Sequence, residues 1–190
     1  MTEQDFIPKI DKSHIESGKI TWESPSNIAL VKYWGKKENQ IPANPSISFT
    51  LNNCKTITTL IYTKRDLSAE LKTAPKFSFE VFLKGEKKDG FKPKIETFFK
   101  RVFVYLPFLK DFHFKIETSN TFPHSSGIAS SASGMSALAL CLMSMEKQIN
   151  PEMTDEFFNQ KASFLARLGS GSACRSIEGD VVVWGETEAI

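Results

Sequence analysis

The chain has 190 residues, 41% of them hydrophobic, with 24 lysines and arginines against 22 aspartates and glutamates. That length buries one sizeable core, and the scattered, near-neutral charge of +2 excludes the single-sign stripe of a nucleic-acid surface. No apolar run reaches membrane-spanning length, and the three cysteines (Cys54, Cys141, Cys174) lack metal-ligand spacing and fit a reducing cytoplasm better than a disulfide framework.

Residues 1–18 read as a polar leader without strong periodicity or an apolar signal core. Lys19–Glu23 and Ile28–Tyr33 read as two strands separated by a Ser-Pro-Ser turn, with Ile28, Leu30 and Val31 expected in the core. Ile47–Leu51 and Thr56–Thr63 alternate apolar and hydroxyl residues, which predicts two strands joined at an Asn52-Asn53 hairpin turn. Phe77–Leu83 is a further half-buried strand, followed by a charged, solvated turn between Gly85 and Gly90. From Lys92 to Tyr105, Ile95, Phe98, Phe99, Val102 and Phe103 recur at helical spacing until Pro107. Phe112–Thr118 returns to strand alternation, and Gly127–Gln148, nearly apolar throughout, predicts a buried helix. Thr154 caps another helix that Gly169 stops, and Val181–Trp184 reads as a buried strand close to Ile190. Strands first, then a strand–loop–buried-helix unit, give an α+β domain with a mixed sheet packed on helices over 19–190.

Three segments carry chemistry. Asn27–Lys36 (Asn-Ile-Ala-Leu-Val-Lys-Tyr-Trp-Gly-Lys) and Ser170–Ser176 (Ser-Gly-Ser-Ala-Cys-Arg-Ser) each put small residues, hydroxyls and a cation in a short span. Small residues let backbone N–H groups approach anionic oxygens, hydroxyls donate, and Lys36 or Arg175 neutralises charge. The third, between Asn120 and Gly134, joins a strand to a helix whose first N–H groups can receive a phosphate. There Gly127 and Ala129 permit close approach, and Ser130 and Ser131 donate to phosphate or ligate Mg²⁺. It has no Gly-Lys-Ser/Thr ending, so it is not a Walker A loop. Each segment also has a plainer account: close helix packing for Gly127–Gly134, core aromatics with a solvated lysine for Tyr33–Lys36, and an ordinary helix cap at Ser170 or Ser172. Cys174 has no paired histidine and is read as packing, not as a nucleophile. Together the segments suggest an enzyme holding two phosphorylated ligands.

The Asn-Ile-Ala-x-x-Lys-Tyr-Trp-Gly-Lys, Gly-x-Ala-Ser-Ser-Ala and Gly-Ser-Gly-Ser-Ala-Cys-Arg-Ser runs resemble diphosphomevalonate decarboxylase. That family belongs to the small-molecule kinases that include galactokinase, homoserine kinase and mevalonate kinase. The resemblance runs with gaps from about Thr21 to Trp184, and implies a ribosomal-protein-S5-like fold. It implies ATP with Mg²⁺ at Asn120, Gly127, Ala129, Ser130 and Ser131. The phosphorylated substrate falls to Asn27, Tyr33, Trp34, Gly35, Lys36 and the run Ser170, Gly171, Ser172, Ala173, Cys174 and Arg175. Catalytic roles fall to Arg175, which orients a carboxylate, to Ser131 and to Lys32; Asn27 is expected to bond Arg175. No residue is expected to bind a metal directly by a dedicated cluster, and no nucleic acid or membrane partner is implied; a homodimer is possible at full length. One departure is Pro123-His124-Ser125-Ser126-Gly127 where the family commonly has Pro-Thr-Ala-Ala-Gly; His124 is read as a loop histidine facing water.

The implied reaction is ATP-dependent decarboxylation of 5-diphosphomevalonate to isopentenyl diphosphate, with an aspartate supplied from a C-terminal half that this sequence lacks. The expectation is therefore an N-terminal part, inactive alone. Two alternatives stand beside it: a related kinase or decarboxylase acting on another phosphorylated mevalonate, and a non-catalytic binding module.

Overall fold

A computed structural model describes residues 2–8, 14–66, 75–123 and 127–185. His124, Ser125 and Ser126 lie outside the described residues. Six strands form one mixed sheet: β1 (Ser17–Val31), β2 (Ser46–Lys64), β3 (Ser78–Leu83), β4 (Glu86–Lys87), β5 (Phe112–Asn120) and β6 (Val181–Trp184), in the order β1-β2-β5-β3-β4 with β6 beside the first residues of β2. Only the β3–β5 pair is parallel. Among the described residues, three α-helices, α1 (Lys92–Val102), α2 (Ser130–Ile149) and α3 (Asp155–Gly169), complete the α+β fold.

The four expected N-terminal strands are two. β1 runs without interruption through Pro25, and β2 through Asn52-Asn53, because the turn-forming residues are absorbed as irregularities in the ladder. Pro25 faces Lys55 while Ser26 faces Leu51, so Asn52, Asn53 and Cys54 bulge out of β2. A proline costs a sheet little at such a position. The real hairpin turn is Lys84-Gly85, with φ of 51° and 82° between Leu83 and Glu86, the left-handed pair that a two-residue connection requires.

The core lies between the sheet and the helices. Phe98 and Phe99 of α1, Phe112 and Phe114 of β5, Leu138, Leu142 and Met145 of α2, and Leu165 of α3 are buried. Such side chains stabilise by about 1.5–3 kcal/mol each on transfer from water. α3 begins as its sequence predicts, with the Thr154 hydroxyl accepting from the Phe157 N–H at 3.2 Å. α2 begins later than expected, at Ser130, because Gly127 (φ 79°) and Ala129 (φ 36°) are left-handed. Inside the core, Lys161 donates to Glu146 at 2.5 Å and to the Tyr105 carbonyl at 3.0 Å.

Three further expectations differ. Ile28, Leu30 and Val31 are exposed, since the far end of β1 projects past the helices that cover its centre. Ile28, Phe49 and Val181 are cross-strand neighbours and all three are exposed, whereas Trp184 at the other end of β6 is buried. In the polar leader, Phe6 is buried in the core, stacked on Phe164 with ring centroids 5.0 Å apart.

Candidate functional site

α3 ends at Gly169, and the chain turns through Ser170 into a 3-10 turn, Gly171–Ser176. Three bonds from β1 fix that turn: Ser24 Oγ donates to the Ser176 carbonyl at 2.9 Å, and Asn27 Nδ2 donates to Ser176 Oγ at 2.7 Å and to the Ser172 carbonyl at 3.2 Å. Asn27 therefore secures the backbone around Arg175 and does not bond the guanidinium. Its carboxamide hydrogens are used by oxygen acceptors, and its buried Oδ1 has no partner. The Ser170 hydroxyl makes no capping bond.

Arg175 is 3% exposed. Its Nη1 donates to Ser46 Oγ at 2.6 Å, its guanidinium stands 5.4 Å from the Trp184 ring centre, and its Nε has no partner. Burial pushes its pKa down from the ordinary value, against the opposing effects of Cys174 and Tyr33. No carboxylate among the described residues pairs with it, so a permanent charge is buried without a counter-ion. Cys174 beside it is no nucleophile: burial raises its thiol to about 11, and its Sγ donates to the Gly171 carbonyl at 3.1 Å.

Trp184 gathers the two motifs expected to hold substrate. Tyr33 meets it edge-on at 4.8 Å, and Lys36 Nζ lies 5.6 Å from the Tyr33 ring centre. A Cβ added at Gly171 would sit 2.6 Å from Trp184 Cη2 and 3.2 Å from Lys36 Cε, so only glycine leaves room for this convergence. Lys36 donates to Gln40 Oε1 at 2.8 Å. Gly35, at φ 108°, makes the turn that precedes Lys36, whose side chain is exposed. Lys32 and Trp34 are not part of the cluster: both are exposed, Trp34 at 85%, and the structure uses the Lys32 carbonyl and the Trp34 N–H to hold Asn44.

The third segment packs on the same strand that carries Asn27. Ser26 Oγ donates to the Ile128 carbonyl at 2.6 Å, holding the loop to β1. Thr56 on β2 donates to Asn120 Oδ1 at 2.8 Å and shares a 2.6 Å bond with Ser133 of α2. Asn120 is thereby fixed to the helix start. Sequence reasoning missed Lys94, whose ammonium donates to the Ser131 hydroxyl from the first turn of α1. Desolvation and, second, the positive charge of Lys36 push its pKa below the ordinary value. Nothing in the charged run Lys92–Lys94 distinguished it; the pairing is made by packing. Beside Ser130, Ser131 and Lys94 opens a cavity of about 150 Å³ whose apolar wall includes Val81, Phe91, Ile95 and Ile116. Arg175, Lys36 and Lys94 thus form a cationic arc, and none has a carboxylate partner among the described residues. Other lysines do, as with Lys64–Glu16 and Lys147–Asp155.

Known proteins resemble this chain over most of its length. Residues 24–189 match the model of the diphosphomevalonate decarboxylase-like N-terminal domain. Diphosphomevalonate decarboxylase from Gibberella zeae is 33% identical over 181 residues, which cover 87% of this chain and 43% of that protein. The mevalonate diphosphate decarboxylase from Enterococcus faecalis, solved in a study of mevalonate diphosphate mediated ATP binding, superposes with a TM-score of 0.68 at 32% identity, covering 90% of this chain and 47% of its own. A complex of the protein designated MDDEF with MVAPP, AMPPCP and magnesium superposes at 0.66 with 32% identity, over 90% of this chain and 46% of its own. The chain spans less than half the length of each. By that match over 24–189 and those likenesses, the chain belongs to the diphosphomevalonate decarboxylase family and carries that family's N-terminal domain.

Proposed function

We propose that the chain provides the nucleotide and substrate sites of an ATP-dependent decarboxylase acting on mevalonate diphosphate. The observation that carries this reading is the arc of unpaired cations, above all Arg175. A buried guanidinium without a counter-ion is costly, and an anionic ligand offsets that cost.

The diphosphate lies against Lys36, the Tyr33 hydroxyl and the Ser170–Ser172 backbone. The substrate carboxylate takes the planar fork of Arg175, including the free Nε. The nucleobase enters the apolar cavity beside Ile95, and its terminal phosphate reaches Ser131, Lys94 and the first N–H groups of α2. Among the described residues no group of three His, Cys, Asp or Glu side chains is suited to a metal. Mg²⁺ needs no such cage, because a serine hydroxyl and phosphate oxygens satisfy its preference for hard oxygen ligands. When bound it would neutralise phosphate charge, and Ser131 would be the residue to hold it.

The chemistry follows from leaving-group quality. Phosphoryl transfer converts a tertiary hydroxyl, which does not depart, into a phosphate ester, which does. As the C–O bond breaks, phosphate takes its bonding pair and positive charge grows at the carbon. The bond to the carboxylate then breaks, its electrons form the alkene, and CO₂ leaves. Arg175 holds the carboxylate in line with that developing charge, while Lys94 and Ser131 stabilise charge on the phosphoryl oxygens. The hydroxyl proton goes to a base that we assign to no described residue. Three free cysteines and, among the described residues, no helix both long and apolar enough to cross a membrane support a cytoplasmic setting.

A chimera joining residues 1–185 to the remaining portion of the Enterococcus faecalis enzyme tests the reading. With ATP, Mg²⁺ and mevalonate diphosphate it should release ADP, phosphate and CO₂ in equal amounts, and Arg175→Lys should abolish CO₂ release. ADP without CO₂ would indicate a kinase instead.

A further inference from the structure

The family match begins at residue 24, so residues 2–8 lie outside it. Phe6 stacks on Phe164 and meets Phe157 edge-on at 5.7 Å, which seats the 3-10 turn Glu3–Phe6 on α3. Thr2 and Asp5 close that turn, with the Thr2 N–H donating to Asp5 Oδ2 at 2.7 Å. So fixed, the Glu3 carboxylate accepts from Arg167 Nη2 at 3.3 Å and from Asn39 Nδ2 at 3.4 Å.

Asn39 belongs to the loop that carries Lys36. Asn39 and Gln40 have φ of 53° and 62°, two consecutive non-glycine residues in the left-handed region. Such a backbone is costly and persists only where its surroundings hold it. Within the loop, Lys37 N–H donates to the Ile41 carbonyl at 2.7 Å and Ile41 N–H to the Glu38 carbonyl at 3.1 Å. Gln40 in turn accepts from the Lys36 ammonium at 2.8 Å. One path therefore runs from Arg167 through Glu3, Asn39 and Gln40 to Lys36.

We propose that Glu3 is a positioning residue for the anion site: the amino-terminal turn clamps the left-handed Asn39-Gln40 pair and so aims Lys36 into the cleft. This rests on the reading of Lys36 as a phosphate contact. Its sign separates it from simple electrostatics. Removing a negative charge near a phosphate site should tighten binding by Coulomb's law, whereas losing the clamp should weaken it.

The test titrates inorganic pyrophosphate into the 190-residue chain and into Glu3→Gln, Lys36→Met and the double variant. Amide exchange is followed at Lys37, Ile41 and Ala43, the last of which donates to the Gly35 carbonyl at 3.1 Å. Glu3 is partly exposed, so Glu3→Gln should stay folded, which a thermal melt checks. The expected result is roughly three- to tenfold weaker binding in Glu3→Gln, faster exchange at the three amides, and no further effect of Glu3→Gln once Lys36 is methionine. Unchanged or tighter binding in Glu3→Gln overturns the proposal, as does an equal loss in both backgrounds. If Lys36→Met alone binds pyrophosphate normally, the reading of the site fails, and the clamp with it.

Discussion

Replacing Arg175 by methionine separates a functional cation from a structural one. The wild-type guanidinium makes one side-chain hydrogen bond, to Ser46, and one ring contact, to Trp184. Losing a bond to a charged group costs about 1.5–3 kcal/mol, and losing the ring contact about 0.5–1 kcal/mol. Against this stands a charge buried without a counter-ion, whose replacement by an apolar side chain of similar volume returns about 1–4 kcal/mol. Ser46 is not stranded, because its hydroxyl also donates to the Val31 carbonyl at 2.6 Å. The terms nearly cancel, so Arg175→Met should change stability by no more than about 2 kcal/mol in either direction, or roughly 4–8 °C in Tm for a domain of this size. Binding is a different matter: mevalonate diphosphate affinity should fall at least about thirtyfold, as when a buried charge partner is truncated. Urea unfolding with linear extrapolation gives the first quantity and calorimetric titration the second. A stability loss above about 4 kcal/mol with ordinary residual affinity would refute the reasoning, since that is the pattern of a structural ion-pair member.

Gly171→Ala should cost about 1–3 kcal/mol of stability by overpacking and weaken pyrophosphate binding, because the added methyl displaces Trp184 and Lys36; an unchanged melt and affinity would contradict the convergence described at that position. Lys94 holds fewer protons folded than unfolded in the window just below its ordinary 10.5, so its contribution to stability rises with pH there. An anion beside it raises its pKa again, so pyrophosphate binding near pH 9 should take up more protons in the native chain than in Lys94→Gln, as titration in buffers of different ionisation enthalpy would show; equal uptake would remove Lys94 from the site. Lys161→Met alone leaves Glu146 buried and should cost about 3–5 kcal/mol, and adding Glu146→Leu should recover most of it, with denaturant midpoints as the measure.

Local signals were legible where the local and global solutions agree. The strand Phe112–Asn120, the Thr154 cap and the apolar α2 have the periodicity of the elements they form. Pro25 and Asn52-Asn53 misled because a long ladder absorbs turn residues as bulges once neighbouring pairs hold the register, and no local sequence reports those pairs. Ile28 and Leu30 misled for a related reason: alternation marks a face, but only the helices decide how far along the strand that face is covered. In the site, the residue types of Tyr33, Lys36, Gly171 and Arg175 pointed to an anion, and the structure brings these four around Trp184. Lys94, Trp184 and Phe6 did not, since each acquires its place from a partner remote in sequence: Ser131, Tyr33 and Phe164.

The central claim is that the Asn27–Lys36 and Ser170–Ser176 motifs build one site for a single substrate with two anionic groups, a diphosphate and a carboxylate. A crystal structure of this chain with mevalonate diphosphate tests it most directly. The account predicts the diphosphate between Lys36, Tyr33 and the Ser170–Ser172 backbone, with the carboxylate on the Arg175 guanidinium and accepting from its Nε. A ligand bound with its carboxylate turned away from Arg175, or a diphosphate seated outside the Trp184 cleft, would contradict it.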